Sequence, residues 1–171
     1  MYSKNEIMFW KRKLKVKANV LADTILAEFV DKPISTTIEQ MHIKAGAPEI
    51  ISALNAKFRL YQFAAVLLAV LNEETKNKDY SPVREHLERS FFPPSFSQGA
   101  NMLGEVKCAM RDLDELFTPS DKPRSLSWAC KWLSTVGVDE SNPATLHLFT
   151  LRWLDHFIAI NKSLQRFKPV A

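Results

Sequence analysis

Glycine is scarce in this chain, with four in 171 residues, and cysteine is scarcer at two. So little glycine cannot supply the positive-φ positions that a fold built of tight hairpins needs in number. Neither Gly99 nor Gly104 falls in a phosphate-cradling motif. Hairpin-rich sheets and glycine-loop nucleotide sites are thereby set aside. Cys108 and Cys130 lie inside helical patterns with no paired motif, so they read as small core residues in a reducing compartment. Long apolar runs are also missing. The longest, Leu60 to Leu71, is 12 residues and contains Gln62, whereas a membrane span needs roughly 18–20. The first 17 residues mix charge with apolar side chains and have neither the apolar core nor the cleavage site of a signal peptide. We therefore expect a cytoplasmic protein with no membrane partner.

What the sequence does contain is helical periodicity. With 46% apolar and 25% charged residues the composition is that of a globular domain, and a chain of this length buries about 70% of its unfolded surface. The run from Leu60 to Leu71 belongs to a longer segment opened by Pro48 and ending near Asn72. A helix that is apolar all round must be covered all round. This segment is accordingly the central post of a bundle, with Leu60, Phe63, Ala64, Leu67, Leu68 and Leu71 in the core.

The other helices carry one stripe each. Ser3 with Glu6 forms a capping-box signature, and Ile7, Trp10, Leu14, Ala18, Leu21, Ile25 and Phe29 follow at steps of three and four. Helix one is thus expected to reach about Val30, and the strand-like alternation from Lys13 to Lys17 is absorbed within it. Phe9, Val16 and Val20 form a second stripe on its opposite face. A short helix from Ser35 or Thr36 to about Lys44 comes next. The string Glu73 to Asp79 reads as a solvated connection, and Ser81 with Pro82 starts a helix ending before Pro93 and Pro94. Ser95 or Ser97 caps a helix through Phe117. Another starts at Ser125 and stops at Gly137, and Asn142 with Pro143 opens the last, with a stripe from Leu146 to Phe167. The expectation is a single all-α domain over residues 1–171, a bundle of about seven helices, four of them long.

Chemistry is harder to find. His42, His86, His147 and His156 have no ligand partners at metal-binding spacing, so no metal and no cofactor is expected. Asp112, Asp114 and Glu115 read as a solvated helix face. Arg152, Asp155 and His156 place Arg152 and His156 at i and i+4 on one side of the last helix. The pair resembles the Arg-x4–6-His signature of helical HEPN ribonucleases, with three residues intervening here. The resemblance implies a weak alternative in which the protein is a helical ribonuclease-like enzyme. The segment Thr37 to Ala47 resembles the first helix and turn of helix-turn-helix repressors, although His42 and Ser52 depart from that pattern.

Charge is unevenly spread. Residues 1–20 hold six Lys or Arg against one Glu, and residues 121–171 hold seven against four acids, whereas residues 61–120 hold six against nine. Such polarity suits self-association or an acidic partner. We expect a non-catalytic protein-interaction or regulatory protein, homodimeric through its N-terminal helix. Phe9, Trp10, Val16 and Val20 would supply the buried contact, and Lys11, Arg12, Lys13 and Lys15 would steer an acidic surface. The alternative is a small nucleic-acid-binding regulator using the same basic helix.

Overall fold

A computed structural model describes residues 13–31, 46–92, 96–117 and 125–170. The fold is an all-α bundle. Among the described residues six α-helices appear: α1 (Ala18–Phe29), α2 (Pro48–Lys76), α3 (Ser81–Phe91), α4 (Phe96–Phe117), α5 (Ser125–Ser134) and α6 (Pro143–Arg166). A 3-10 turn, Lys78–Tyr80, links α2 to α3, and two short strands, β1 (Leu14–Lys17) and β2 (Phe167–Val170), complete the set. The short helix expected near residues 35–44 lies outside the described residues, as does the start of helix one.

The central post is α2. Pro48 occupies its first turn, where a missing N–H costs nothing. From Phe63 to Val70 every residue is buried except the half-buried Leu68. Leu60 and Leu71 are likewise half-buried, at the flanks of that stretch. By length and composition α2 could cross a membrane, but 56% of its most apolar window is buried within the protein. It packs on α4, α6, α3 and α1, while α1 also lies on α3 and α5 on α6.

Aromatic rings join the post to its neighbours. Phe58 stacks on Trp153 at 5.6 Å and meets Trp132 edge-on at 4.9 Å, so one ring of α2 touches both α5 and α6. Phe63 stacks on Phe91 at 3.7 Å and ties α2 to α3. Such pairs add about 0.5–1.5 kcal/mol each beyond the area they bury.

Helix ends follow local chemistry. The Asn142 side chain accepts from the Ala144 amide at 2.9 Å, with Pro143 behind it. Gly137 ends the α5 region with φ +82°, and the Val138 amide returns to the Leu133 carbonyl at 3.1 Å. Conformation rather than space demands that glycine, since an added Cβ would meet only Ile50 at 3.7 Å. Beyond Leu71, α2 continues to Lys76 instead of giving way to a solvated string. Glu73 is buried and pairs with Lys76 at 2.9 Å, and the Ser81 hydroxyl and the Arg84 guanidinium both donate to Glu74. The charges of this segment thus hold the α2–α3 corner together.

Two expectations are corrected at the chain ends. Residues 14–17 are a strand and not a turn of helix one, and the last helix stops at Arg166 so that Phe167 begins β2. The strands run parallel, with Leu14 opposite Phe167, Lys15 opposite Lys168, Val16 opposite Pro169 and Lys17 opposite Val170. Val16 alone could not outweigh a continuous 3.6-residue pattern. A backbone ladder from 150 residues away does, because it satisfies the amides that helix one would otherwise have paired locally. Cys108 and Cys130 are also exposed rather than buried in the core.

One hydroxyl anchors this junction. Tyr80, fully buried on the 3-10 turn, donates to the Leu164 carbonyl at 2.8 Å and lies 3.0 Å from that of Phe167, where α6 becomes β2. Burial, reinforced by the charge of Glu73, pushes its hydroxyl up to about 12, so it stays protonated as a donor.

Replacing Leu67 with Ala should cost about 2–5 kcal/mol in denaturant unfolding, since it opens a cavity in the enclosed helix. A loss below about half a unit would show that α2 is not the central post. Tyr80→Phe should cost about 1–3 kcal/mol by stranding buried acceptors. It should also speed amide exchange in residues 167–170 before exchange in α2 changes.

Candidate functional site

The predicted N-terminal surface is only partly described. Phe9, Trp10, Lys11 and Arg12 lie outside the described residues. Lys13 precedes β1 and is exposed, as is Lys15 within it. Val16, expected on an outward stripe, is instead half-buried and packs against the core, opposite Pro169. Val20 sits on α1 and is 48% exposed, and Leu14, expected on the core stripe, is 65% exposed.

Alternation along a strand sends Lys13, Lys15 and Lys17 to one side and Leu14 and Val16 to the other. In β2 the exposed Lys168 shares the side of Lys15, its register partner, while the buried Pro169 faces inward with Val16. The outer face of the sheet therefore gathers four lysines from opposite ends of the sequence. Lysines on adjacent strands, about 5 Å apart, repel each other. One compensation is visible: the Lys168 ammonium lies 4.0 Å from an Asp79 carboxylate oxygen, both groups being about half exposed. A pair that long and wet contributes little. Nothing in the sequence pairs Lys168 with Lys15, and only the strand register reveals its place there.

A second site was not anticipated. Between α2, α4 and α5 a cleft of about 410 Å³ opens, walled by Tyr61, Trp128 and Trp132. Lys57 and Tyr61 reach it from one face of α2 at i and i+4. Asp112 and Glu115 come from α4 at i and i+3, and Trp128, Lys131, Trp132 and Thr135 form a stripe along α5 and its end. Asp112, on what the sequence reads as a solvated face, is half-buried and accepts the Tyr61 hydroxyl at 2.6 Å. The Tyr61 hydroxyl is pushed far up, first by burial and then by that hydrogen bond.

Lys57 is the central cation of the cleft. Its ammonium donates to the Trp132 carbonyl at 3.1 Å and to the Thr135 hydroxyl, and it lies 4.6 Å from the centre of a Trp132 ring. It thereby caps the C-terminal end of α5, where the helix dipole favours a cation. Burial brings it down to about 8, with the nearby Asp112 opposing part of the shift. The local pairs were visible as helical spacings. Their convergence was not, because it depends on how α2, α4 and α5 pack.

The residues resembling a ribonuclease signature do not converge. Arg152 and Asp155 are exposed, whereas the His156 ring turns inward, edge-on to Phe29 at 5.8 Å and to Trp153 at 6.0 Å. Its Nε2 is buried and makes no hydrogen bond to the protein. Burial lowers its proton affinity to about 4. The segment resembling a helix-turn-helix leads into α2, whose 29 residues are too enclosed for a groove-reading helix. Among the described residues no three of His, Cys, Asp and Glu are grouped so as to hold a metal ion.

Comparison with known proteins adds no constraint: no family model matches the chain, and neither does any curated protein or solved structure.

A neutral buried histidine makes stability depend on acid. Unfolding restores His156 to an ordinary value near 6.5, so the unfolded chain binds more protons between about 4 and 6.5 and stability falls as the pH drops through that window. The loss attributable to this ring is about 3 kcal/mol. His156→Phe should flatten the dependence in denaturant titrations across those pH values. An unchanged slope would show that the ring is solvated in the folded protein.

Proposed function

We propose that the protein acts without catalysis, by binding an acidic protein through the lysine face of its two-stranded sheet. The observation that carries this reading is the cross-strand pair Lys15–Lys168, flanked by Lys13 and Lys17. Like charges set side by side are unfavourable in the isolated chain and become favourable against a surface of carboxylates. Protein is preferred to nucleic acid because, among the described residues, the outer face carries no aromatic ring on which a base could stack. The exposed Leu14 at its border adds the apolar element common to protein interfaces.

A homodimer is the second reading, favoured by the exposure of Leu14 and Val20 in the N-terminal segment. It would use that apolar flank, because the lysine face repels its own copy. Val16, half-buried against the core, is no longer a clean probe of such a contact.

Immobilised poly-L-glutamate should retain the protein at low salt and release it as salt rises. Lys15→Glu with Lys168→Glu should abolish retention while leaving the melting temperature nearly unchanged, since both side chains are exposed. Preference for a DNA duplex over poly-L-glutamate would shift the reading to nucleic acid. A dimer in light scattering, dissociated by Val20→Glu, would shift it to self-association.

A further inference from the structure

We propose that the cleft between α2, α4 and α5 is a binding site for a small aromatic zwitterion, of the chemical class of an aromatic amino acid. The ring would lie against the accessible part of Trp128, the ammonium would face Asp112 and Glu115, and the carboxylate would face Lys57. This inference does not depend on the lysine face of the sheet.

Three features of the cleft lead to that ligand. The first is charge: two acids stand on α4, and two lysines on α2 and α5. A ligand of one sign would satisfy one wall and be repelled by the other, whereas a zwitterion satisfies both. Lys57 and Asp112 lie close enough for each charge to feel the other, yet they form no ion pair with each other. Both line the cleft, one from α2 and one from α4.

Unused hydrogen-bonding capacity is the second. An ammonium has three donors, and Lys57 commits two of them to the Trp132 carbonyl and the Thr135 hydroxyl. Asp112 accepts the Tyr61 hydroxyl on Oδ2, which leaves Oδ1 with no donor among the described residues. One fixed donor and one fixed acceptor therefore remain, each held in place by its other hydrogen bonds. Groups fixed in advance are what polar recognition needs, because binding then spends little on ordering them.

Size and lining supply the third. At about 410 Å³ the cleft falls at the small end of the range of roughly 300–1,000 Å³ for ligand sites. It suits a single ring with a short polar head and is too small for a dinucleotide. Trp128 is half-buried and its ring is backed by Phe149 at 5.8 Å, so the indole is braced from behind while part of it stays accessible. Tyr61 meets Trp132 edge-on at 5.3 Å, which fixes the rest of the wall. A planar ring gains offset stacking there, and a nearby ammonium gains attraction to the indole face.

The test uses the full chain and three probes: L-phenylalanine, phenethylamine and 3-phenylpropionate, followed through the protein's own tryptophan fluorescence. L-phenylalanine should give a saturable change, and each singly charged analogue should bind at least about tenfold more weakly. Asp112→Asn keeps an acceptor for Tyr61 and should cut the discrimination against 3-phenylpropionate several-fold, with Glu115 retaining the remainder. Lys57→Met should erase the discrimination against phenethylamine. If Lys57→Met proves too unstable by thermal melting, Asp112→Asn decides alone. No saturable response to L-phenylalanine at millimolar concentration would overturn the proposal, as would equal binding of the three probes. Discrimination against 3-phenylpropionate left undiminished by Asp112→Asn would overturn it as well.

Discussion

The enclosure of α2 is the constraint on which the rest of the structure depends. A helix with Phe63, Ala64, Ala65, Val66, Leu67, Ala69 and Val70 all buried has no face left for water. Each apolar residue exposed there would forfeit about 1.5–3 kcal/mol, so α1, α3, α4 and α6 must be present together. Their amphipathic stripes are individually ordinary. They acquire a fixed arrangement because they cover one object from different sides.

The same helix explains where the cleft lies. Toward its N-terminal half α2 is amphipathic, and there Phe58 faces the core while Lys57 and Tyr61 meet the boundary between core and solvent. The rings of Phe58, Trp132 and Trp153 lock α2 to α5 and α6. That lock leaves α4 standing off from α5 around Tyr61, and the gap is lined by the polar residues at the border. Lys57 has a structural role, capping α5, and a site role, since one of its donors remains uncommitted. Both follow from one position on one helix.

Charge is divided in a comparable way. Carboxylates around the α2–α3 corner are drawn into local pairs, with Arg84 held between Glu74 and Glu88 at 2.9 and 3.2 Å. Among the described residues the lysines of the sheet meet only the long contact to Asp79. Charges at the α2–α3 corner thus hold helices together, whereas those of the sheet are left facing outward.

The helical class, the central post and several helix ends are legible in the residues alone. These rest on local rules: period 3.6, the apolar run from Leu60 to Leu71, Asn142 before Pro143, and Gly137 at a positive φ. The strands, the lysine face and the cleft arise from contacts between distant segments. Lys13 to Lys17 satisfy a helical pattern as well as an alternating one, and the choice was made by a partner segment at residues 167–170 that no local window contains. Asp112, Lys57 and Trp128 each looked like an ordinary residue of its own helix, because spacing along one helix says which side chains share a face and nothing about what that face meets. Cys108 and Cys130 mark the same limit from the other direction: the usual burial of an unpaired cysteine suggested the core, and the packing of neighbouring helices left them exposed.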